Sequence, residues 1–210
     1  MTATAAIRSL PPIWVLALAV SGANVGISLL SPAIPALRAD LMATGDQAQL
    51  VLGVFLVMLG LGQLAAGSIS DRIGRRPVLV YGALLFTLGG LGSLFSTTVE
   101  MLIAMRLIQG LGAAACTAMG RVIISDSFDR AEAGKQLSTI TMFQAIVPLL
   151  GFAFGGILVD FVGWRGSVTL MLTALRSAPY QELRPLVFRA IGEIALHTKA
   201  TLRRPPLPSA

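Results

Sequence analysis

Residues 50–69 hold one strongly polar side chain, Gln63, and eight residues later a second run, 78–95, passes without a single charge. Each run is close to the ~20 apolar residues that a helix needs to cross the hydrocarbon of a bilayer. Backbone donors and acceptors in hydrocarbon have no water to bond, so a run of this kind closes its hydrogen bonds within itself, as a helix. Residues 13–30, 101–124 and 137–159 repeat the pattern. Arg8 and the sequence Ala17-Leu18-Ala19 give the first run a superficial likeness to a cleaved signal. Its length, its Asn24 and its continuation into Pro32-x-x-Pro35 suit a permanent helix better.

Composition agrees. Only 12% of the 210 residues are charged and 55% are hydrophobic, whereas soluble domains are ~25% charged. The net charge of +6 does not indicate nucleic acid, because the basic residues sit in short gaps between apolar runs and in a C-terminal tail. Cys116 and His197 are each alone, which excludes a disulfide framework, a Cys/His metal centre and a His-based catalytic pair. Nothing in the chain calls for a cofactor or for an enzyme.

Orientation follows from the placement of Lys and Arg in the connections. With the N-terminus in the cytoplasm, Arg8, Arg72, Arg75, Arg76, Arg121, Arg130 and Lys135 fall inside, and only Arg38 and Arg165 fall outside. The reading is therefore a multi-pass protein of the cell membrane with a cytoplasmic N-terminus. After Trp164-Arg165 the pattern breaks. The run 166–175 is only ten residues, about 15 Å of helix, and 176–210 is rich in Arg and Pro. Residues 1–175 are thus expected to form a bundle of five full transmembrane helices plus a partial sixth. Residues 176–210 form a polar, basic tail, either disordered or an interfacial helix. Such an inventory reads as a truncated chain.

In lipid, helices are held together by small residues and a few polar ones. Ser21, Asn24, Ser28 and Ser31 share a face of the first helix, and Gly53, Gly60 and Gly67 recur every seven residues on the second with Gln63 beside them. Arg106, Gln109, Gly110, Ala113 and Thr117 align on the fourth, and Gln144, Pro148, Gly151 and Gly155 on the fifth. The third carries glycines and Thr87 alone and reads as more peripheral. Interhelical packing accounts for most of these singly. Arg106 is different: it lies ~9 Å inside its helix, where a charge costs on the order of 2.5–3.5 kcal/mol. Snorkelling to the outer surface would reduce that cost, but Gln109 and Gly110 on the same face favour an inward-pointing guanidinium in a polar interior lined by Asn24, Arg106, Gln109 and Gln144.

The stretch Gly67-x-x-x-Asp71-Arg72-x-Gly74-Arg75-Arg76 resembles the signature loop between the second and third helices of the major facilitator superfamily. Arg106-x-x-Gln109-Gly110 resembles that superfamily's fourth-helix motif, and Pro148-x-x-Gly151 with Gly155-Gly156 is similar to the fifth-helix motif of its drug:proton antiporters. Pro32-Ala33-Ile34-Pro35 followed by Arg38-Ala39-Asp40-Leu41 is similar to the Bcr/CflA drug-efflux branch. The resemblance implies an all-α polytopic membrane protein, the N-terminal half of a two-half bundle. It implies outward transport of a small drug-like molecule against protons by alternating access, with Asp71 and its arginines gating the site.

The physical roles can be stated beside the resemblance. Gly67 permits close helix approach, Asp71 suits a helix N-terminus, and Arg72, Arg75 and Arg76 hold the loop at the membrane surface. Pro77 suits the first turn of a helix, and Pro148 removes a backbone hydrogen bond. One departure stands out. Members of this branch commonly carry an acid where this chain has Ser28, and no Asp or Glu lies deep in any apolar run. The alternatives are an inactive fragment, a half-bundle that needs a partner or a second copy of itself, and a metabolite transporter of the same superfamily.

Overall fold

The computed structural model describes residues 20, 21, 24 and 26–177. The start of the first apolar run (13–19) and residues 178–210 of the expected tail lie outside them. Among the described residues every regular element is helical. Residues 26–30 end the first helix, and a 3-10 turn over Ser31–Ala33 leads into α1, Ile34–Asp40. Then come α2 (Gly45–Ile73), α3 (Arg75–Leu94), α4 (Val99–Ser127) and α5 (Arg130–Ser177).

The helices outrun the apolar segments because polar caps carry them past the hydrocarbon. Thr44 and Gln47 form a reciprocal capping box at the start of α2, with Gln47 N–H donating to Thr44 Oγ1 at 3.3 Å and Thr44 N–H to Gln47 Oε1 at 2.9 Å. Asp46 in the same turn faces the positive end of the helix dipole. Thr98 caps α4 through Met101 N–H. Gly74, at φ +95°, ends α2 and starts α3, a conformation that suits glycine. The resulting 29-residue α2 and α4 are each ~43 Å long, enough to cross both the hydrocarbon and the headgroups. Gly163, at φ +67° inside α5, divides it into a first arm, 130–162, and a second arm, 164–177.

Contacts set the directions. Phe55 meets Gly110 and Gly62 meets Ala114, so α2 and α4 run parallel; Gly82 meets Ala115 and Gly89 meets Gln109, so α3 runs against α4. Gly151 meets Ser28 and Gly155 meets Pro32, which lays the first arm of α5 parallel to the first helix. Leu172 lies on Gly90 while Arg165 reaches the end of α3, so the chain reverses at Gly163 and returns along α3. The third helix is not loosely attached: Val78, Leu79, Gly82, Phe86, Gly89 and Gly90 are all buried. By contrast Leu56, Val57, Leu61 and Leu64 on α2, and Leu149, Phe154 and Phe161 on α5, are exposed. Apolar side chains turned outward from a polar-lined interior are the pattern of an integral membrane protein.

At the end away from the Asp71 loop, three helix ends are tied together. Asp40 accepts from the Trp164 indole Nε1 at 2.9 Å and from Arg165 Nη1. The Arg165 guanidinium also donates to the carbonyls of Leu94 at 3.3 Å and Ser96 at 2.9 Å, and lies 4.4 Å from the Trp164 ring centroid. The indole and guanidinium hydrogen bonds hold the Asp40 carboxyl below its ordinary value of 3.8. A carboxyl with a depressed folded-state pKa contributes stability above its unfolded pKa and loses it as pH falls through the lowered value. Thermal unfolding of the purified chain should therefore keep this contribution at pH 7 and at pH 5, and lose it only below pH ~4. Asp40→Asn should lower Tm by a few degrees at pH 7 and flatten that acid limb. An unchanged acid limb in the variant would remove Asp40 from the account.

Candidate functional site

Arg106 is fixed from α4 outward. Gly110, one turn on, lets α2 approach so closely that an added Cβ would lie 2.8 Å from the Phe55 carbonyl and 2.9 Å from Met58 Cβ. That approach places the Phe55 ring over the Arg106 guanidinium at 5.7 Å. Arg106 Nη1 donates to Gln109 Oε1 at 2.7 Å, while Nε has no partner among the described residues. Both side chains are essentially fully buried, at 1% and 0% exposure, so the snorkelling alternative does not describe this arginine. The whole predicted stripe of Arg106, Gln109, Gly110, Ala113 and Thr117 is buried.

A second polar cluster sits further along α4. Arg121 Nη2 donates to Gln144 Oε1 at 2.9 Å, Gln144 Nε2 reaches the Val20 carbonyl at 3.4 Å, and Asn24 Nδ2 donates to the Gln144 carbonyl at 3.3 Å. Asn24 and Gln144 are thus brought together, but not with Arg106 and Gln109. Arg106 and Arg121 are fifteen positions apart on one helix, about 22 Å. The four residues expected around one interior form two stations, and the lower one contains Arg121, which the charge count had placed among the surface cations. Ser21 Oγ and Thr117 Oγ1 are buried without partners among the described residues.

Ser28, at the position expected for an acid, donates to the Asn24 carbonyl at 2.6 Å and faces Gly151, where an added Cβ would lie 2.5 Å from Ser28 Cβ. An added Cβ at Gly155 would lie 2.9 Å from Pro32 Cγ. Gly151 and Gly155 therefore serve close packing of α5 on the first helix. Gly156 meets nothing within 4 Å, and Pro148 is half-buried inside the helix.

The loop between α2 and α3 converges on Arg75. Its Nη1 donates to Asp71 Oδ1 at 2.6 Å and to Ser70 Oγ at 2.8 Å, and its Nε donates to Asp126 Oδ2 at 3.2 Å. The bonds to Asp71 and, less, to Asp126 raise the Arg75 pKa. Asp126, at the end of α4, was visible in the sequence only as a marginal acid; its role needs contact between residues 51 apart. Side-chain exposures of 37%, 69% and 55% for Arg75, Asp71 and Asp126 make the cluster water-screened and easily opened. Arg72 and Arg76 are exposed and make no ion pair among the described residues. Gly67 meets nothing within 4 Å, as do Gly53 and Gly60, so the glycine stripe of α2 faces away from this bundle.

Comparison with known proteins places these features in a family. Residues 16–175 match the profile of the Major Facilitator Superfamily. The chain is 33% identical over 144 residues to a chloramphenicol resistance protein of Pseudomonas aeruginosa, covering 68% of this chain and 34% of that protein. It is 29% identical over 177 residues to multidrug resistance protein D of Escherichia coli (strain K12), covering 84% and 45%. The chain therefore spans less than half the length of these relatives. A crystal structure of a D-xylose-proton symporter superposes with a TM-score of 0.62 at 20% identity, over 94% of this chain and 54% of that one. That likeness concerns the fold.

Proposed function

The chain belongs to the Major Facilitator Superfamily, and from that premise we propose that it serves as one half of a secondary transporter exporting small drug-like molecules by alternating access. The drug resistance for which its relatives are named supports export, and the Bcr/CflA-like Pro32-x-x-Pro35 exit supports that branch. The N-terminus is assigned to the cytoplasm of a cell-membrane protein, with the Asp71 loop on the same side, on the placement of Lys and Arg. Proton coupling is part of the proposal, carried by a residue outside the described helices' apolar interiors, where Asp and Glu are absent.

The observation that carries the reading is the Arg75 bridge between Asp71 and Asp126. A gate must hold one state and yield to another, so its contacts should be specific in geometry but weak in net energy. Three polar groups from the ends of α2, α3 and α4, all open to water, meet that requirement. A second bundle would be seated on the open glycine stripe of α2 beside this gate. Asp71→Asn should reduce flux of a fluorescent amphipathic probe from proteoliposomes at least about fivefold, as expected for losing the coupling of a two-state element. Insertion and helical content should be unchanged. Equal flux at equal reconstitution would remove the gate.

A further inference from the structure

The two arginines on the inner face of α4 share a feature: each guanidinium is held by a glutamine Oε1, Arg106 by Gln109 and Arg121 by Gln144, and neither pairs with a carboxylate among the described residues. The acids explain why. Residues 1–39 contain no acid, and the carboxylate nearest Arg121 in sequence on α4, Asp126, is bound to Arg75. Among the described residues these two guanidiniums of α4 therefore have no carboxylate partner. A guanidinium carries five N–H donors, and Arg121 spends one on Gln144. Unlike Arg106 it is exposed, and its position is fixed by a relay of amides running through Gln144 to Val20 and Asn24 of the first helix. Thr117 Oγ1, one turn away on α4, and Ser21 Oγ, beside Val20, are buried with no partner among the described residues and add hydrogen-bonding capacity near it. An oriented, accessible fork with unused donors matches a carboxylate or phenolate, and the same field repels an organic cation.

We propose that Arg121, held by Gln144 where the first, fourth and fifth helices meet, contacts the substrate, and that this substrate is a small amphipathic molecule bearing an anionic group. The proposal rests on the transporter reading for the word substrate, but not for the binding itself. Arg121 lies ~9 Å from the end of α4, so an anionic lipid headgroup offers the same chemistry, and the test separates the two sources.

The full chain in phosphatidylcholine vesicles, with empty vesicles subtracted, is titrated with 1-pyrenebutyrate and with 1-pyrenebutyltrimethylammonium. The anion should bind at least about tenfold more tightly, the worth of one charge-assisted pair. Arg121→Gln should abolish the preference and Arg121→Lys should keep part of it. Gln144→Leu, which leaves the charge but frees it, should weaken anion binding and provides the readout if Arg121→Gln does not insert. Equal affinities, or a preference that survives Arg121→Gln or Gln144→Leu, would overturn the proposal. So would a preference that disappears when phosphatidylglycerol is added, since that assigns the guanidinium to lipid. Flux of the probes in the same vesicles is a separate measurement. Flux of both without preference keeps the transporter and removes the anion; anion-selective binding without flux does the reverse.

Discussion

Gly112→Leu should prevent α3 from seating on α4 and leave a chain that inserts but does not assemble. Intrinsic propensity alone would favour leucine over glycine in a helix interior by up to about 1 kcal/mol, so the expected sign is set by packing. A Cβ at Gly112 would lie 2.5 Å from the Gly82 carbonyl oxygen and closer still to the Phe86 nitrogen. Both are backbone atoms of a helix, which cannot rotate aside as a side chain can. Overpacking usually costs ~1–3 kcal/mol when side chains yield; against backbone the loss should exceed that range. In lipid, close packing is also the main force holding helices together, so little compensates. The same substitution at Gly60, which meets nothing within 4 Å, should change stability by less than ~0.5 kcal/mol. Size-exclusion behaviour and thermal unfolding of the two variants in detergent provide the comparison. A stable, monodisperse Gly112→Leu, or an equally damaged Gly60→Leu, would contradict the α3–α4 contact.

This contrast also shows how far the amino-acid pattern reaches. The apolar runs place α2 to α4 and the first arm of α5, because the demand for internal hydrogen bonding in lipid overrides local propensity. The Arg106–Thr117 stripe is readable as a buried face because a charge in a span turns inward or snorkels to the surface, and Gln109 and Gly110 on the same face favour the first. A glycine repeat tells less. The heptad Gly53, Gly60, Gly67 names a face of α2 without naming its neighbour, and the glycine that receives α4 is Gly62, outside the repeat. Hydropathy also trims helices at the hydrocarbon edge, although Thr44-x-x-Gln47 marks the true start of α2 in plain letters. What no local pattern holds is pairing at long range. Asp40 with Trp164 and Arg165, Arg75 with Asp126, and Arg121 with Gln144 are separated by 124 and 125, 51 and 23 residues respectively. Arg121 is the instructive case: counted as a loop cation for topology, it lies inside α4 and is bound across the bundle.

On the proposed export role, Arg106→Met should abolish transport while leaving the fold about as stable as before. A lone guanidinium at this depth costs on the order of 2.5–3.5 kcal/mol to insert, and its Nε gains no hydrogen bond among the described residues in return. Methionine fills similar volume and removes that cost. The loss on the other side is the bond to Gln109 Oε1, worth about 1–3 kcal/mol if the acceptor were stranded. Set against the insertion cost, that loss leaves a net between about −0.5 and +2.5 kcal/mol before the ring contact is counted. The cation–π contact with Phe55 at 5.7 Å adds only ~0.5–2 kcal/mol to the opposing side, partly replaced by sulfur–ring contact. With packing near balance, the proposed role of Arg106 lies in its charge and not in its volume. Arg106→Lys should preserve partial flux, since it keeps charge but loses the planar fork. Arg106→Ala should lose both flux and stability, because it opens a cavity beside Phe55. Tm in detergent and probe flux in proteoliposomes, measured on all three, decide the matter. A methionine variant that still transports would make Arg106 structural, and one that melts far below the parent would mean that its guanidinium is better satisfied than its bonds to Gln109 and Phe55 indicate.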